Sequence, residues 1–153
     1  MITNNDLRLL TQAASLAGFN VEQNLLQLLQ WDEGVQTHVP EALPANSAAI
    51  YLFKWQDRYL KVGKVNQNSN ARYQFQHYNP DSSPSNLAQT LRDEPEFHAL
   101  VGQFHDTDWG LWIRENTTRY NIIIPADLGV NFVHFAEAFF ILKCRPVFEN
   151  SRV

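Results

Sequence analysis

The sequence predicts an α+β fold in which helices flank a small, mainly antiparallel sheet of three strands. Two runs rich in aromatic and β-branched residues, at 48–55 and 59–65, lie close enough together to form a β-hairpin. A third apolar run, at 119–125, predicts a buried strand. Helical patterns precede the hairpin, follow it and end the chain, and this order of elements is typical of an α+β layer fold.

The first part of the chain is predicted to form a helical extension. Residues 4–17 and 21–31 place Leu, Val and Trp at helical spacing, with a short break between the two segments. The segment 37–47, THVPEALPANS, has two prolines and no periodicity, so we expect a linker there. The predicted organisation is therefore an N-terminal helical hairpin with its linker at 1–46, followed by one domain at 47–153.

The length of the hairpin loop decides which side chains share a face of the sheet. Three residues separate the two predicted strands: Gln56, Asp57 and Arg58. A three-residue loop predicts cross-strand pairs whose side chains all lie on one face: Trp55 with Tyr59, Phe53 with Lys61, and Tyr51 with Gly63. A two-residue loop would instead put Tyr51 and Lys61 on opposite faces, because side chains alternate along a strand.

Further helices are predicted after the hairpin. The segment NQNSNARYQFQHYNP (66–80) has capping residues at its start and an Asn-Pro pair at its end, so it predicts a short helix with Arg72 in the first turn. Residues 86 to about 104 are expected to be helical, with a break near Pro95. Residues 130–144 predict a buried helix.

Composition excludes several classes of protein. The chain has 153 residues, 44% of them hydrophobic, which suits one globular domain with its own core. A single cysteine, Cys144, offers neither a disulfide framework nor a thiolate metal cluster. The first residues lack the pattern of a secretory signal, and the longest apolar stretch, 132–142, is too short to span a bilayer. We therefore expect a cytoplasmic protein with no membrane partner.

The charge is unevenly distributed. The net charge of the chain is -4, but the segment 54–72 has five basic residues and one acid, so it carries +4 and the remainder -8. The five are Lys54, Arg58, Lys61, Lys64 and Arg72. Such a patch can bind phosphate, or it can belong to a solvated hairpin whose charges keep an edge strand from pairing. The charge count alone favours neither interpretation.

Glu137 is a second candidate for function. A carboxylate in an otherwise apolar helix is costly unless a cation pairs with it, and that cation is either an arginine in a structural ion pair or a metal. His134 lies three residues earlier on the same helical face, which would permit a site with two metal ligands. A lone histidine in such a helix is more often a hydrogen-bonded core residue, so we do not include it among the predicted ligands.

Several short motifs together resemble one family. They are AIY at 49–51, KVG at 61–63, Arg72 after the hairpin, Glu137 in a late apolar helix, and the tail RPVFEN at 145–150. In this order they resemble the GIY-YIG nuclease superfamily, over residues 48–150. The segment KVGKVNQNSNARYQFQHYNP is most similar to the restriction-enzyme branch, in which the second motif begins with lysine.

The resemblance implies a phosphodiesterase that uses Mg²⁺ or Mn²⁺. By position in the motifs, Tyr51 would be the base that activates water and Lys61 would assist that base. Arg72 would hold the scissile phosphate, and Glu137 would bind the metal. His77 is a further catalytic candidate, although the family places its histidine or tyrosine four residues after the arginine and His77 lies five residues after Arg72.

Two other positions depart from the family pattern. Ala49 replaces the first-motif glycine, and Glu149, twelve residues after Glu137, stands where the family's asparagine is usually found, with Asn150 thirteen residues after Glu137. In a regular helix, His77 would lie about 140° round the axis from Arg72.

The chemistry of phosphodiester hydrolysis agrees with these roles. Tyrosine has a reference pKa of about 10, so roughly one molecule in a thousand is phenolate at pH 7. An ammonium within about 4 to 6 Å can lower such a pKa by about 1 to 3 units, and Lys61 is predicted to lie diagonal to Tyr51. Gly63 would leave space for a phosphate to approach the sheet. The nucleic acid would also be contacted by four more side chains: Lys54, Arg58, Lys64 and Tyr73.

Two functions of different classes follow. The first is a metal-dependent endonuclease acting on DNA, with RNA as an alternative substrate, in restriction or phage defence. The second is a catalytically inactive domain of the same fold that binds nucleic acid or a protein, with the N-terminal helices docking a partner or a second copy. The presence of all four motif residues favours the first, because a degenerate site would have lost one of them.

Overall fold

The computed structural model describes residues 1–34, 38–84, 86–102 and 107–148. The fold is α+β, as predicted, with four antiparallel strands in the order β1-β4-β2-β3. The strands are β1 (Gln27–Trp31), β2 (Ser47–Trp55), β3 (Arg58–Val65) and β4 (Thr118–Pro125). The prediction of three strands is therefore corrected to four, and the added strand is β1.

The N-terminal helical hairpin is the main error in the predicted fold. Helix α1 (Asn4–Leu16) forms as expected, but the second segment contains only a 3₁₀ turn at Gln23–Leu25 before β1 begins. Strand β1 pairs with β4 from Gln27 opposite Ile123 to Trp31 opposite Arg119. The backbone groups along the outer edge of β4 need partners, and this pairing outweighs the helical spacing of the leucines. Residues 1–46 thus contribute a strand to the sheet that carries the candidate site.

Helices cover both faces of the sheet. They are α2 (Asn70–Gln74), α3 (Leu87–Asp93), α4 (Pro95–Val101), α5 (Trp109–Asn116) and α6 (Gly129–Cys144), with 3₁₀ turns at Gln76–Tyr78 and Ala126–Leu128. One face packs against α2 to α5 and the other against α1 and α6, so the sheet separates two apolar cores. The break at Pro95 is confirmed, since this residue opens α4. None of the helices described is long and apolar enough to cross a bilayer.

The hairpin has the predicted pairing near the candidate site and a different turn. Tyr51 lies opposite Gly63 and Phe53 opposite Lys61, as expected. The turn itself is shorter, because Trp55 pairs with Arg58 and leaves only two residues between the strands. A register shift after Phe53 absorbs one residue of β3. This β-bulge keeps Tyr51 and Lys61 on the same face, so the rule that a two-residue loop would separate them does not hold here.

One contact joins α1 to α6, and a second holds the segment after α6 against the sheet. Lys143 of α6 lies 2.9 Å from Asp6 of α1 in an ion pair, which joins the two helices on one face. After α6 the backbone N–H groups of Val147 and Phe148 donate to the carbonyl oxygens of Tyr59 and Leu60. The segment after α6 therefore covers the outer edge of β3 at its bulge.

Candidate active site

An open cavity of about 430 Å³ lies where β2, β3, α2 and α6 meet. We call it the Tyr51 cavity. Its lining includes four residues to which the sequence assigned catalytic roles, one from each of these elements: Tyr51, Lys61, Arg72 and Glu137. Lys64, Ser69 and Asn66 are also in the lining. The fold therefore brings together side chains that lie far apart in the chain.

The phenol of Tyr51 lies across Gly63. A β-carbon built on Gly63 would lie 2.3 Å from the Tyr51 hydroxyl and 2.5 Å from its Cζ, far inside contact distance. Tyr51 itself is 1% exposed. The phenol of Tyr51 thus fills the space left by the missing side chain of Gly63. The expectation that a phosphate would occupy this space is therefore corrected. Gly63 permits a buried, fixed phenol.

Arg72 contacts the hydroxyl of Tyr51. Its Nε and Nη2 atoms each lie 3.4 Å from the Tyr51 oxygen and donate long hydrogen bonds to it. The sequence assigned this arginine to the phosphate and gave the role of assisting the base to Lys61. In the structure a guanidinium also approaches the phenol, and a positive charge there favours its ionised form. No sequence signal indicates this contact, because it depends on where α2 follows the hairpin.

Lys61 is a buried lysine at the wall of the cavity. Its residue is 6% exposed, and it lies on the face of β3 that carries Gly63. It lies beside Tyr51 and Arg72 in the lining of the cavity. The position agrees with the predicted diagonal relation to Tyr51.

Glu137 forms an ion pair with Lys64 through Oε2. The two side chains are 21% and 28% exposed, so the pair is half-buried at the cavity. The sequence predicted a cation near Glu137 and offered an arginine or a metal, whereas the protein cation found is a lysine of the hairpin. Lys64, predicted to contact nucleic acid, thus lies at the centre of the site. The cavity carries three cationic side chains and one carboxylate.

His77 packs against Tyr51 because the helix that carries Arg72 ends before His77. Helix α2 ends at Gln74 and a 3₁₀ turn begins at Gln76, so the regular geometry that would direct His77 away from the site does not apply. Its ring centroid lies 4.3 Å from that of Tyr51. The backbone N–H of Leu87 donates to Nδ1 over 3.3 Å, which leaves the ring proton on Nε2.

His77 is neutral at physiological pH. Burial holds the pKa of His77 well below its usual value, and the positive charges of Arg119, Arg72 and Lys61 lower it further. Within the described part of the chain, Nε2 has no hydrogen-bond partner. The residue is 1% exposed and its ring packs against the phenol of Tyr51, and its catalytic role remains a prediction.

Three of the predicted nucleic-acid contacts lie outside the cavity. Lys54 and Arg58 are at the turn end of the hairpin, and Arg58 lies beside Glu94 and Glu96, whose charges oppose phosphate binding. Tyr73 is 1% exposed, so its ring cannot stack on a base, which corrects the prediction for that residue. The tail positions Glu149 and Asn150 lie outside the described residues.

Beneath Tyr51, the same face of the sheet holds a buried polar layer that the sequence analysis missed. Arg119 and Asn121 on β4 are both fully buried, and they lie opposite Phe53 and Tyr51 of β2. A signal was present: RYNIIIP was predicted to be a buried strand, and its polar residues recur with the period of two that puts them on one face.

Among the described residues that line the cavity, Glu137 is the carboxylate available to a divalent metal. Among residues 1–34, 38–84, 86–102 and 107–148, no group of three or more His, Cys, Asp and Glu side chains could hold a metal ion. Mg²⁺ is commonly bound through one or two carboxylates, several waters and the substrate phosphate, so Glu137 alone fits that mode of binding. His134 is exposed on α6, which removes it from the core but adds no second ligand to the cavity lining.

Comparisons of the chain with protein-family models, with curated proteins and with solved structures give no match. The roles of the cavity residues must therefore be argued from the geometry of this chain.

Proposed function

We propose that this protein is a metal-dependent endonuclease of the GIY-YIG type that hydrolyses phosphodiester bonds in DNA. One observation carries the proposal: Tyr51, Lys61, Arg72 and Glu137, which come from four different elements, line one open cavity. Together they provide a base, two cations for the phosphoryl oxygens and a ligand for a hard metal ion. A role in restriction or phage defence, in the cytoplasm, belongs to the same proposal.

Tyr51 is the proposed base. Its phenolate would take a proton from water as the water oxygen attacks phosphorus and the bond to the leaving oxygen breaks. Gly63 and His77 hold the ring in place, which keeps the phenol in a fixed position for proton transfer. Arg72 donates to the same oxygen and so favours the ionised form.

Arg72 and Lys61 then serve the phosphate. Both basic side chains line the cavity, so they stabilise the negative charge that develops on the phosphoryl oxygens. The guanidinium offers five donors, which allows Arg72 to contact Tyr51 and a phosphate oxygen at the same time.

Glu137 is the proposed ligand for Mg²⁺ or Mn²⁺. When bound, the metal supplies positive charge at the phosphoryl and leaving oxygens. Because Lys64 pairs with Oε2 of Glu137, that lysine must move aside when the carboxylate binds a metal. The ammonium released in this way is free to bind a phosphate of the substrate, as its predicted role in nucleic-acid contact requires.

A second candidate function is favoured by the ion pair itself. If Lys64 neutralises Glu137 permanently, the cavity keeps a positive charge without a metal ligand and becomes a binding site for nucleic acid. The protein would then be an inactive domain of the same fold, with a partner or a second copy bound through its N-terminal elements.

The experiment that separates these functions is a cleavage assay with supercoiled plasmid, single-stranded DNA and RNA, each with Mg²⁺ or Mn²⁺. The nuclease predicts metal-dependent cleavage that Tyr51→Phe abolishes. His134→Gln is the matched control for the helix that carries Glu137, because His134 is exposed and outside the cavity lining. Binding without cleavage on every substrate would reject the nuclease and support the inactive domain.

A further inference from the structure

Arg119 is a buried cation without a carboxylate partner. It is fully buried, and its donors reach Asn121 Oδ1 at 3.1 Å, the Tyr78 hydroxyl at 2.9 Å and the Tyr73 carbonyl oxygen at 2.6 Å. None of these acceptors, which are all the acceptors within the described part of the chain, carries a negative charge. Its guanidinium also lies 5.1 Å from the centre of the Phe53 ring. A charge held in this way is costly to the fold, although its hydrogen bonds are satisfied.

Stability does not explain why this charge is there. Buried ionic groups can often be replaced by apolar residues of similar volume without loss of stability. The site around Arg119 is otherwise aromatic, with Phe53, Tyr73 and Tyr78 around it, and would accept a methionine. The charge therefore calls for an electrostatic explanation.

The position of Arg119 supplies one. It lies on β4 opposite Phe53, and Tyr51 lies two residues along β2 on the same face. Its hydrogen-bond partner Asn121 lies directly opposite Tyr51. In a low-dielectric interior a charge acts over this diagonal distance much more strongly than it would through water. The positive charge of Arg119 also lowers the pKa of His77, whose ring packs on Tyr51.

We propose that Arg119 is a positioning residue whose buried positive charge stabilises the phenolate of Tyr51 from the protein interior, on the same face of the sheet, while Arg72 does so from the cavity. This inference rests on the proposed role of Tyr51 as a base. Among the described residues, the charged and titratable groups around Tyr51 are Arg72 from α2, Lys61 and Lys64 from β3, Glu137 from α6, His77 from the 3₁₀ turn and Arg119 from β4. Among them, Arg119 is the cation that is fully buried.

The ionisation of Tyr51 can be measured without any cleavage. We suggest NMR titration of protein labelled with ¹³C at tyrosine Cζ, in the absence of metal, with Tyr51→Phe to assign the signal. Burial raises the pKa of each of the other four tyrosines, and the signal that Tyr51→Phe removes is followed across the titration. Arg119→Met should raise the midpoint of Tyr51 by about half a pH unit or more, as removal of a nearby charge does.

Three further variants define the interpretation. Arg119→Gln is also neutral but retains hydrogen-bond donors, so it should give the same shift and replaces Arg119→Met if that variant does not fold. Arg119→Lys keeps the charge and should stay near wild type. Arg114→Met is the matched control: its guanidinium lies 4.9 Å from the ring of Tyr78 and does not line the Tyr51 cavity, so its removal should leave Tyr51 unchanged.

The outcomes separate this inference from the proposed function. An unchanged midpoint of Tyr51 in folded Arg119→Met or Arg119→Gln would overturn the role of Arg119, even in an active nuclease. A raised midpoint in a protein that cleaves no substrate would overturn the nuclease and keep the electrostatic role. If melting temperature alone changed, Arg119 would be a structural residue and the inference would be wrong.

Discussion

The hydroxyl of Tyr51 lies over the α-carbon of Gly63, so close that a methyl group at this glycine would overlap it. The β-hairpin and the proposed base are therefore one structural unit. Any side chain at position 63 must displace the phenol or the strand.

Gly63→Ala is expected to displace the ring of Tyr51 and to abolish cleavage. Overpacking of this kind costs about 1 to 3 kcal/mol of the free energy of unfolding. Chemical denaturation and a cleavage assay measure the two effects. Adding Tyr51→Leu should restore much of the lost stability but none of the activity, because it removes the overlapping ring. Additive losses of stability in the double variant would contradict the packing described.

Glu137→Gln should abolish metal-dependent cleavage and leave DNA binding largely intact, because the amide keeps the shape but is a weaker ligand for a hard cation. Thermal unfolding distinguishes this role from that of a structural ion pair. A half-exposed ion pair contributes at most about 1 kcal/mol, so the melting temperature should change little. A large decrease in melting temperature, with no change in metal affinity, would identify Glu137 as part of a structural ion pair.

Lys64→Met should increase the affinity of the free protein for Mn²⁺. Lys64 and the metal compete for the same carboxylate, so removing the lysine removes the competitor. Isothermal titration calorimetry without nucleic acid measures this affinity, and Lys54→Met serves as the control because Lys54 lies at the turn end of the hairpin. Equal Mn²⁺ affinities in wild type and Lys64→Met would contradict competition between Lys64 and the metal for Glu137.

Lys61→Met tests whether this lysine serves the base or the phosphate. If it favours the phenolate of Tyr51, its loss should move the rising limb of the rate against pH to higher pH, with little change in substrate binding. If Lys61 binds only phosphate, its loss should weaken substrate binding and decrease the slope of the salt dependence of that binding by about one unit at most. The rising limb of the rate against pH should then not move. Metal must be saturating, since metal affinity itself depends on pH.

The protein should lose stability as pH falls from about 6.5 to 4. Burial lowers the pKa of His38 to about 4, and the charges of Arg119 and Arg114 act in the same direction. A histidine with a lowered pKa stays neutral in the folded state while the unfolded chain takes up a proton, so the stabilisation is complete above the unfolded pKa and is lost as pH falls through the folded one. For His38 the loss is roughly 3 kcal/mol.

His38→Gln should flatten this pH dependence, whatever its effect on stability at pH 7. Urea unfolding at several pH values measures how the free energy of unfolding depends on pH. The control is His134→Gln, since an exposed histidine should leave the slope unchanged. His77, also buried with a lowered pKa, contributes in the same direction, so some slope will remain in His38→Gln. An identical slope in wild type and His38→Gln would contradict the buried neutral state of His38.

Local patterns in the sequence were sufficient where the structure depends on neighbouring residues. A three-residue loop predicted that Tyr51 faces Gly63 and that Phe53 faces Lys61, and both pairs are present because the β-bulge offsets the shorter turn. The pattern failed for 27–31, because QLLQW fits a helix or a strand and only its pairing with β4 decides between them. That pairing joins residues about 90 positions apart, which no local rule can detect.

The site was predictable in its residues and less so in its contacts. An isolated carboxylate in an apolar helix indicated that Glu137 needs a cation, but not that Lys64, 73 residues away, would provide it. The position of His77 could not be predicted because a regular helix was assumed, and the helix breaks after Gln74. Arg119 was missed because a basic residue in a short strand is usually exposed.

The order of strands in the sheet has a consequence for folding. Strands β2 and β3 are joined by a two-residue turn and can pair as soon as both exist, whereas β1 must wait until β4, far along the chain, has been synthesised and has joined β2. Closing so long a loop is slow, because the chain loses conformational entropy before the hydrogen bonds of the strand pair form. We therefore expect β1 to be the last strand to join the sheet. Until then the outer edge of β4 is open to any other extended chain, so newly made protein depends on its own first thirty-one residues to prevent aggregation.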